Sequence, residues 1–378
     1  GSPGEDNEES AQLSVVQSLP IYEGISVKRR VYHMSVSAIQ EPMKSYLYGL
    51  PEQFSYCLQM SFEEVKRYQQ NYRNVMVCGL GGSAIGGDIL RAYAYKQAAI
   101  PVFVNRGYDL PRFVDQNTLF VAVSYSGNTE ETLAAYEEAK KRGAKILAIT
   151  SGGKLAQSAE ADDNTVISIP GSLSPRAATG YLLAPLLLSL QNAGVLSNVE
   201  ADIRETTAVL HNLRDLLQPA LQGQGMAESI AALIKDAIPV IWGSVNHTEP
   251  AALRWKAQIN ENAKCPAYYN VFPELNHNEI VGFEAPPELL ARIVVIILKD
   301  SLDHRRVQQR MEITRKLIES KVKKVIEVES AGESLLARIY SLIYIGDYVS
   351  YYLALEYGID PTPVKVIDYL KQELAQVK

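Results

Sequence analysis

Cysteine and histidine are scarce in this sequence. The 378 residues include three cysteines, Cys57, Cys78 and Cys265, and no two of them have the close spacing of a metal site or a redox pair. The five histidines are scattered, without an HxH or HExxH pattern. We therefore expect no disulfide framework, no bound metal and no organic cofactor, and a reducing compartment such as the cytoplasm.

Positive charge and long apolar runs are also lacking. The 37 Lys and Arg residues are outnumbered by 43 Asp and Glu residues, and no basic run occurs, which argues against nucleic acid or an anionic membrane as a partner. The longest strongly apolar stretch, 181–190, is well short of the ~20 residues that cross a bilayer. Residues 1–25 contain acidic side chains and no cation, so we predict a flexible acidic tail rather than a secretory signal.

Short apolar runs that are rich in β-branched residues alternate with helical patterns along most of the chain. The runs lie at 74–80, 100–105, 118–128, 145–153 and 164–170, and again at 238–244, 265–272, 292–300 and 322–330. This alternation predicts an α/β fold with two doubly wound, mainly parallel sheets. We predict a tail at 1–25, a first domain at 26–215 and a second at 216–378 that ends in helices.

Two clusters of glycine and hydroxyl residues follow predicted strands in the first half. In the first cluster, 78–88, Gly81 and Gly82 let the backbone approach a ligand, and Ser83 offers a hydroxyl where a helix begins. The second cluster, at 124–132, contributes the hydroxyls of Ser124, Ser126 and Thr129.

In the second cluster, Asn128 and Glu131 have the spacing of a capping box at the start of a helix. Free amides at two helix N-termini, together with hydroxyls, can hold a phosphate without a cation, which suits an acidic protein. Parallel sheets bind such ligands at the carboxyl edge of their strands, where both clusters fall. Taken singly, either cluster is equally consistent with a tight turn or an ordinary helix cap.

A dinucleotide site is a competing interpretation, because Gly79, Gly81 and Ala84 match the pattern G-x-G-x-x-A after a strand. That pattern predicts an acidic residue at the end of the next strand, where the sequence has Asn105 and Arg106 instead. Arg106 could favour the 2′-phosphate of NADP, so an NADP-dependent enzyme stays open as an alternative. A P-loop is disfavoured because the GK[ST] ending is missing.

Five motifs together resemble the bifunctional phosphoglucose/phosphomannose isomerases, a branch of the SIS (sugar isomerase) domain superfamily. They are GLGGSAIGGD, VSYSGNTEET, SPRAATGY, NENAK and ELNHNE, and the similarity runs from about residue 40 to the C-terminus. The resemblance implies two SIS domains, a homodimer with active sites shared between subunits, and metal-free interconversion of aldose and ketose hexose 6-phosphates through a cis-enediolate. It also implies that the sugar phosphate is held by Gly82, Ser83, Ser124, Ser126 and Thr129.

The resemblance assigns roles to further residues. Arg176 would bind substrate and stabilise the enediolate, and Glu261 would move the proton between carbons 1 and 2. His277, supplied by the neighbouring subunit, would assist ring opening. A lysine of the terminal helix would also take part, and Lys371 matches better than Lys365.

The residues themselves leave structural alternatives open. If 248–264 is a helix, Glu261 lies in its last turn and shares a stripe with Leu253, although a surface glutamate is common there. Arg176 could instead pair with a nearby carboxylate, and His277 could be a solvated loop residue. His247, just before this helix, is expected to belong to its cap region. A non-catalytic sugar-phosphate sensor is a further alternative, though no basic DNA-binding helix is visible.

Overall fold

The computed structural model describes residues 42–219 and 224–377, so the predicted acidic tail lies outside the described residues. Within these ranges, the first half forms a five-stranded sheet in the order β2-β1-β3-β4-β5, and every pair of neighbouring strands is parallel. The strands are β1 Asn74–Cys78, β2 Val102–Asn105, β3 Thr118–Ser124, β4 Lys145–Thr150 and β5 Thr165–Ser168.

The second half forms a four-stranded parallel sheet in the order β7-β6-β8-β9. Its strands are β6 Ile238–Ser244, β7 Tyr268–Phe272, β8 Ile293–Lys299 and β9 Lys324–Glu329. The central strands are nearly continuous apolar runs, because helices cover both faces of a parallel sheet. The predicted fold class, α/β with two mainly parallel sheets flanked by helices, is confirmed.

Helices connect the strands and flank both sheets. In the first half they are α1 Pro42–Tyr48, α2 Leu50–Leu58, α3 Gly82–Ala94, α4 Glu130–Lys141, α5 Gly153–Ala161, α6 Thr179–Asn192 and α7 Val199–Leu217. In the second half they are α8 Met226–Ile234, α9 Glu249–Ala263, α10 Pro287–Leu290, α11 Arg305–Ile318, α12 Leu335–Glu356 and α13 Lys365–Leu374. Short 3-10 turns at Glu63–Tyr68, Pro175–Ala177, Glu274–His277 and Glu279–Phe283 complete the pattern.

Helix α12 is the centre of the molecule. All residues from 336 to 354 are buried, because α7, α8 and α9 pack around this helix. A helix that is apolar on most sides is stable in water only when other elements enclose it. In the described part of the chain, no helix is both long and apolar enough to cross a membrane.

Helices α3 and α9 pack together and run in opposite directions. The first turn of α3 lies near the end of α9, where Asn262 contacts the turn at Pro175–Ala177. At the other end of the pair, Arg91 of α3 approaches Glu249 of α9 at 3.9 Å between Nη2 and Oε1. The carboxyl edge of the first sheet therefore lies on the same side as the end of α9.

Candidate active site

The two glycine and hydroxyl clusters lie side by side, as predicted. Strands β1 and β3 are neighbours in the sheet, although their connections lead to opposite sides, so a crevice opens between the loops that follow them. The backbone N–H of Tyr125 donates to Oγ of Ser83 over 3.2 Å and links the two loops. A Cβ atom on Gly79 would lie 2.9 Å from the carbonyl oxygen of Val123, so only glycine permits this approach.

Both helices that begin at this crevice lack a side-chain cap. Gly81 precedes α3 and Thr129 precedes α4, and neither N-terminus receives a capping hydrogen bond from its N-cap side chain. The predicted capping box from Asn128 to Glu131 is wrong, because Oδ1 of Asn128 accepts instead from the backbone N–H of Lys154, over 3.0 Å. The backbone N–H of Ser83 donates to the carbonyl oxygen of Leu80 over 3.0 Å, so within the described chain the N–H of Gly82 and those in the first turn of α4 remain available to an anion.

The three hydroxyls of the second loop are in different situations. Ser124 is fully buried, its Oγ lies 2.8 Å from Oγ1 of Thr129, and it also accepts from the N–H of Gly127 over 3.0 Å. Ser126 is exposed and accepts from the N–H of Asn128 over 3.1 Å. Ser124 thus shapes the loop, while the hydroxyls of Ser126 and Thr129 are more accessible to a ligand.

Gly82 brings Arg176 to the same crevice. A Cβ atom at Gly82 would lie 2.7 Å from the carbonyl carbon and oxygen of Pro175 and 2.8 Å from the backbone nitrogen of Arg176. A side chain at position 82 would push the 3-10 turn Pro175–Ala177 away from the start of α3. The glycine predicted to contact phosphate therefore also fixes the position of the arginine.

Arg176 is buried, and the second half of the chain holds its guanidinium group. Nε donates to Oδ1 of Asn262 over 2.8 Å, and Nη2 donates to the carbonyl oxygens of Pro361 and Thr362 over 2.7 and 2.8 Å. Among the described residues it forms no ion pair, so the alternative of a pairing with a nearby carboxylate is wrong. Burial lowers the pKa of Arg176, and the charge of Glu261 opposes this shift. The hydrogen bonds of the guanidinium within the described chain use Nε and Nη2, which leaves Nη1 for a ligand.

Arg254 and Asp347 support Arg176 from behind, and the sequence analysis missed both. Arg254 donates to the carbonyl oxygen of Arg176 and pairs with Asp347, with 3.1 Å between Nε and Oδ1. A signal was present in the sequence, since Arg254, Gln258 and Asn262 recur at the i, i+4, i+8 spacing and all three are buried. Polar residues on the face of a helix that should be apolar indicate a buried polar network.

Glu261 lies in the last turn of α9, as predicted, and is partly buried. It immediately precedes Asn262, and its charge is close enough to influence the pKa of Arg176. Nζ of Lys264 donates to the backbone carbonyl of Glu261 and, over 3.1 Å, to that of Pro361. The lysine thereby links the end of α9 to the segment that holds Arg176.

The chain does not bring His277 to this group. Helix α9 ends before β7 begins, and His277 follows the end of β7, so Glu261 and His277 lie at opposite edges of the second sheet. The length of α9, about 22 Å for its 15 residues, indicates the scale of that separation. His277 is exposed in the 3-10 turn Glu274–His277.

The two candidate lysines lie on α13. Lys365 and Lys371 are both exposed, and no residue of this helix is buried within the described chain. The helix follows directly from the segment that includes Pro361 and Thr362, so its start is near Arg176.

Arg106, the candidate cation for a 2′-phosphate, is already engaged. It forms a bidentate pair with the buried carboxylate of Asp88, one bond being 3.1 Å between Nη1 and Oδ1. The described residues also contain no group of three or more His, Cys, Asp or Glu residues that could hold a metal ion.

Comparison with known proteins decides the family. Residues 69–184 match the model of the SIS domain, and residues 224–374 match that of the bacterial phospho-glucose isomerase C-terminal SIS domain. The bifunctional phosphoglucose/phosphomannose isomerase of Caldicellulosiruptor bescii is 49% identical over 88% of this chain and 98% of its own length. The chain belongs to the bifunctional phosphoglucose/phosphomannose isomerase family. The predicted family, and with it an enzyme of the isomerase class, is confirmed.

Other relatives are consistent with this assignment. The enzyme of the same name from Thermoplasma acidophilum is 41% identical over 85% of this chain and 99% of its own length. The C-terminal domain of glucosamine-fructose-6-phosphate aminotransferase from Francisella tularensis shares the fold, with a TM-score of 0.65 at 18% identity, over 86% of this chain and 99% of that one. The similarity to that structure extends over both sheets.

Proposed function

We propose that this chain interconverts fructose 6-phosphate with glucose 6-phosphate and with mannose 6-phosphate, without a metal. The observation that carries the proposal is the position of Arg176, which lies against the start of α3 while Asn262 of the second half holds it. A phosphate site and a proton-transfer group then border one cleft between the halves. The names of the close relatives support the same substrates.

In the proposed complex, the sugar phosphate binds at the first turns of α3 and α4. The N–H of Gly82 and the hydroxyls of Ser83, Ser126 and Thr129 donate to its oxygens, and Ser124 holds the second loop in shape. Neutral donors in the field of two helix N-termini favour a dianion without requiring a cation.

Glu261 then moves the proton. Its carboxylate removes the proton from carbon 2 of the aldose and returns it to carbon 1 on the same face of a planar cis-enediolate. Arg176 stabilises the negative oxygen of the intermediate through its free Nη1 group. Removal of such a donor raises the activation free energy by about 2 to 4 kcal/mol. Glucose and mannose 6-phosphates share this enediolate, so one site serves both if the intermediate can turn about the bond between carbons 2 and 3.

His277 and Lys371 complete the proposed site, and we assign His277 to a second copy of the chain. The separation of Glu261 and His277 across the second sheet supports a shared site in a homodimer. Helix α13 supports a subunit contact, because Val366, Leu370 and Leu374 form an apolar stripe with exposed fractions of 82%, 56% and 50%.

Turnover of fructose 6-phosphate, with both aldose products quantified, tests the proposal. Wild type should form both products, with and without a chelator, whereas Glu261→Gln should fold normally and lose at least a hundredfold in kcat. The exposed Glu284→Gln variant is the matched control and should keep full activity. Binding without turnover in wild type would instead indicate a sugar-phosphate sensor.

Mixing two inactive variants tests the shared site. After subunit exchange between Glu261→Gln and His277→Ala, random pairing should restore about a quarter of wild-type activity, because each mixed dimer has one intact site. If both residues acted within one chain, mixing would restore nothing.

A further inference from the structure

The second sheet contains a crevice equivalent to the proposed phosphate site. Strands β6 and β8 are neighbours, as β1 and β3 are, and each is followed by a loop and a helix. The loops 245–248 and 300–304 therefore correspond in position to 79–81 and 125–129. Since α3 and α9 run in opposite directions, the two crevices lie at opposite ends of the molecule.

The carboxylate of Asp300 occupies this second crevice. Nε2 of His247 lies 2.5 Å from Oδ2, and Nε of Arg338 lies 3.0 and 3.1 Å from the two carboxylate oxygens. The hydroxyl of Ser330 and the backbone N–H of Leu302 also donate to Oδ1, over 3.1 and 3.3 Å. An imidazole, a guanidinium, a hydroxyl and a backbone N–H thus surround one internal anion.

The residues of this cluster are removed from solvent. The exposed fractions of Asp300, His247 and Arg338 are 2%, 7% and 8%. Burial tends to raise the pKa of Asp300, but the hydrogen bonds and charges of His247 and Arg338 lower it to about 2. The carboxylate is therefore anionic at neutral pH, and buried hydrogen-bonding groups, including the guanidinium of Arg338, contact it on several sides.

The helix that follows β8 also differs from the helices at the first crevice. In the second crevice, Nδ1 of His304 caps α11 by accepting from the N–H of Arg306 over 3.1 Å. In the first crevice, α3 and α4 have no such cap. The start of α9 has no such cap either, so the difference between the two crevices lies in α11 and in the groups that surround Asp300.

We infer that the second crevice is an oxyanion site that Asp300 permanently fills. The wild-type chain then binds one sugar phosphate, and removal of the Asp300 side chain opens a site for a small carboxylate or phosphate. The expectation that the wild-type chain binds one sugar phosphate, in the first crevice, rests on the proposed function. The chemistry around Asp300 does not depend on isomerase activity.

Rescue by formate tests the inference. Asp300→Ala should be less stable than wild type in sodium chloride, and its thermal midpoint should rise in a saturable way by roughly 3 to 5 °C in sodium formate of equal ionic strength. Wild type and Asp300→Asn, in which the crevice stays filled, should not respond to formate. The double variant Asp300→Ala with Arg338→Met should lose the response, because the guanidinium that recruits formate is gone.

The inference would be overturned if D300A folds but its thermal midpoint does not rise specifically in formate. It would also be overturned if the double variant keeps that rise. Titration of wild type with fructose 6-phosphate gives an independent answer if D300A does not fold. One site per chain is expected, and two would overturn the inference while leaving the proposed function intact. If wild type binds no fructose 6-phosphate at all, the proposed function is contradicted. The formate experiment then tests the inference about the second crevice by itself.

Discussion

Arg176 of the first half and Asn262 of the second half share a hydrogen bond of 2.8 Å between Nε and Oδ1. The acceptor is a neutral amide, and the other bonds of the guanidinium go to backbone carbonyls. The arginine is therefore held in a fixed position without a carboxylate to neutralise it. In the proposed mechanism, this arrangement keeps its positive charge available to the enediolate.

Replacement of Asn262 should reduce catalysis more than substrate binding. In Asn262→Ala, Nε of Arg176 and Oγ of Ser350 lose their partner, so we expect a tenfold to hundredfold lower kcat with little change in KM. The lost hydrogen bonds should also destabilise the fold by about 1 to 3 kcal/mol. Steady-state kinetics and denaturant unfolding measure both effects. Asn260→Ala on the same helix is the control, and an equal loss of kcat there would contradict the role of Asn262.

Gly82→Ala should impair the site through a steric clash. The new Cβ atom would lie 2.7 Å from backbone atoms of Pro175, so the turn that includes Arg176 must shift. We expect kcat/KM to fall at least tenfold and stability to fall by about 1 to 3 kcal/mol. In Gly107→Ala, the added Cβ atom meets nothing within 4 Å, and its activity and stability should match those of wild type. Unchanged kinetics for G82A would contradict the proposed contact.

The buried pair of Arg254 and Asp347 should show a pH-dependent cost when it is broken. Burial raises the pKa of Asp347, and Arg254 opposes that shift. Arg254→Met leaves an unpaired buried carboxylate, which costs about 3 to 5 kcal/mol at pH 7. Because the folded protein binds this proton more tightly than the unfolded chain, the loss should shrink as the pH falls toward 5. Urea unfolding at pH 7 and at pH 5 measures the loss of stability, with the exposed Arg292→Met variant as control. An equal loss at both pH values would contradict the prediction.

Asp300 should contribute stability that disappears in acid. Its pKa is lowered from 3.8 to about 2 in the folded protein, so the ionised group stabilises the fold above about pH 4 and loses this effect as the pH falls toward 2. Asp300→Asn should be less stable than wild type at pH 6, and the difference should narrow between pH 4 and pH 3. The exposed Asp109→Asn variant should follow wild type throughout. A constant difference for D300N across this range would argue against a charged Asp300.

Much of the fold could be predicted from the sequence because its signals are local. Short apolar runs rich in β-branched residues marked the strands, and the positions after β1 and β3 identified the crevice. The capping box failed because Asn128 bonds to Lys154 on another helix, and residue spacing does not reveal such a partner. His247 shows the same limit, since its partner Asp300 is 53 residues away and follows the end of β8.

The contacts of the candidate site residues could not be predicted from the sequence. Arg176 and Glu261 came from motifs, yet the partners of Arg176 lie 86 to 186 residues further along the chain. These contacts depend on how the two halves pack, which no local pattern encodes. The polar stripe of Arg254, Gln258 and Asn262 on α9 was the one local sign of this network, and it was readable from the sequence.

Isomerisation in deuterium oxide tests most directly whether Glu261 moves a proton through an enediolate. With wild type, deuterium should enter carbon 1 of fructose 6-phosphate and carbon 2 of both aldose phosphates, because a carboxylate exchanges its proton with solvent while it holds the intermediate. Glu261→Gln should abolish both turnover and deuterium incorporation. Continued turnover with deuterium incorporation by the folded variant would contradict this account.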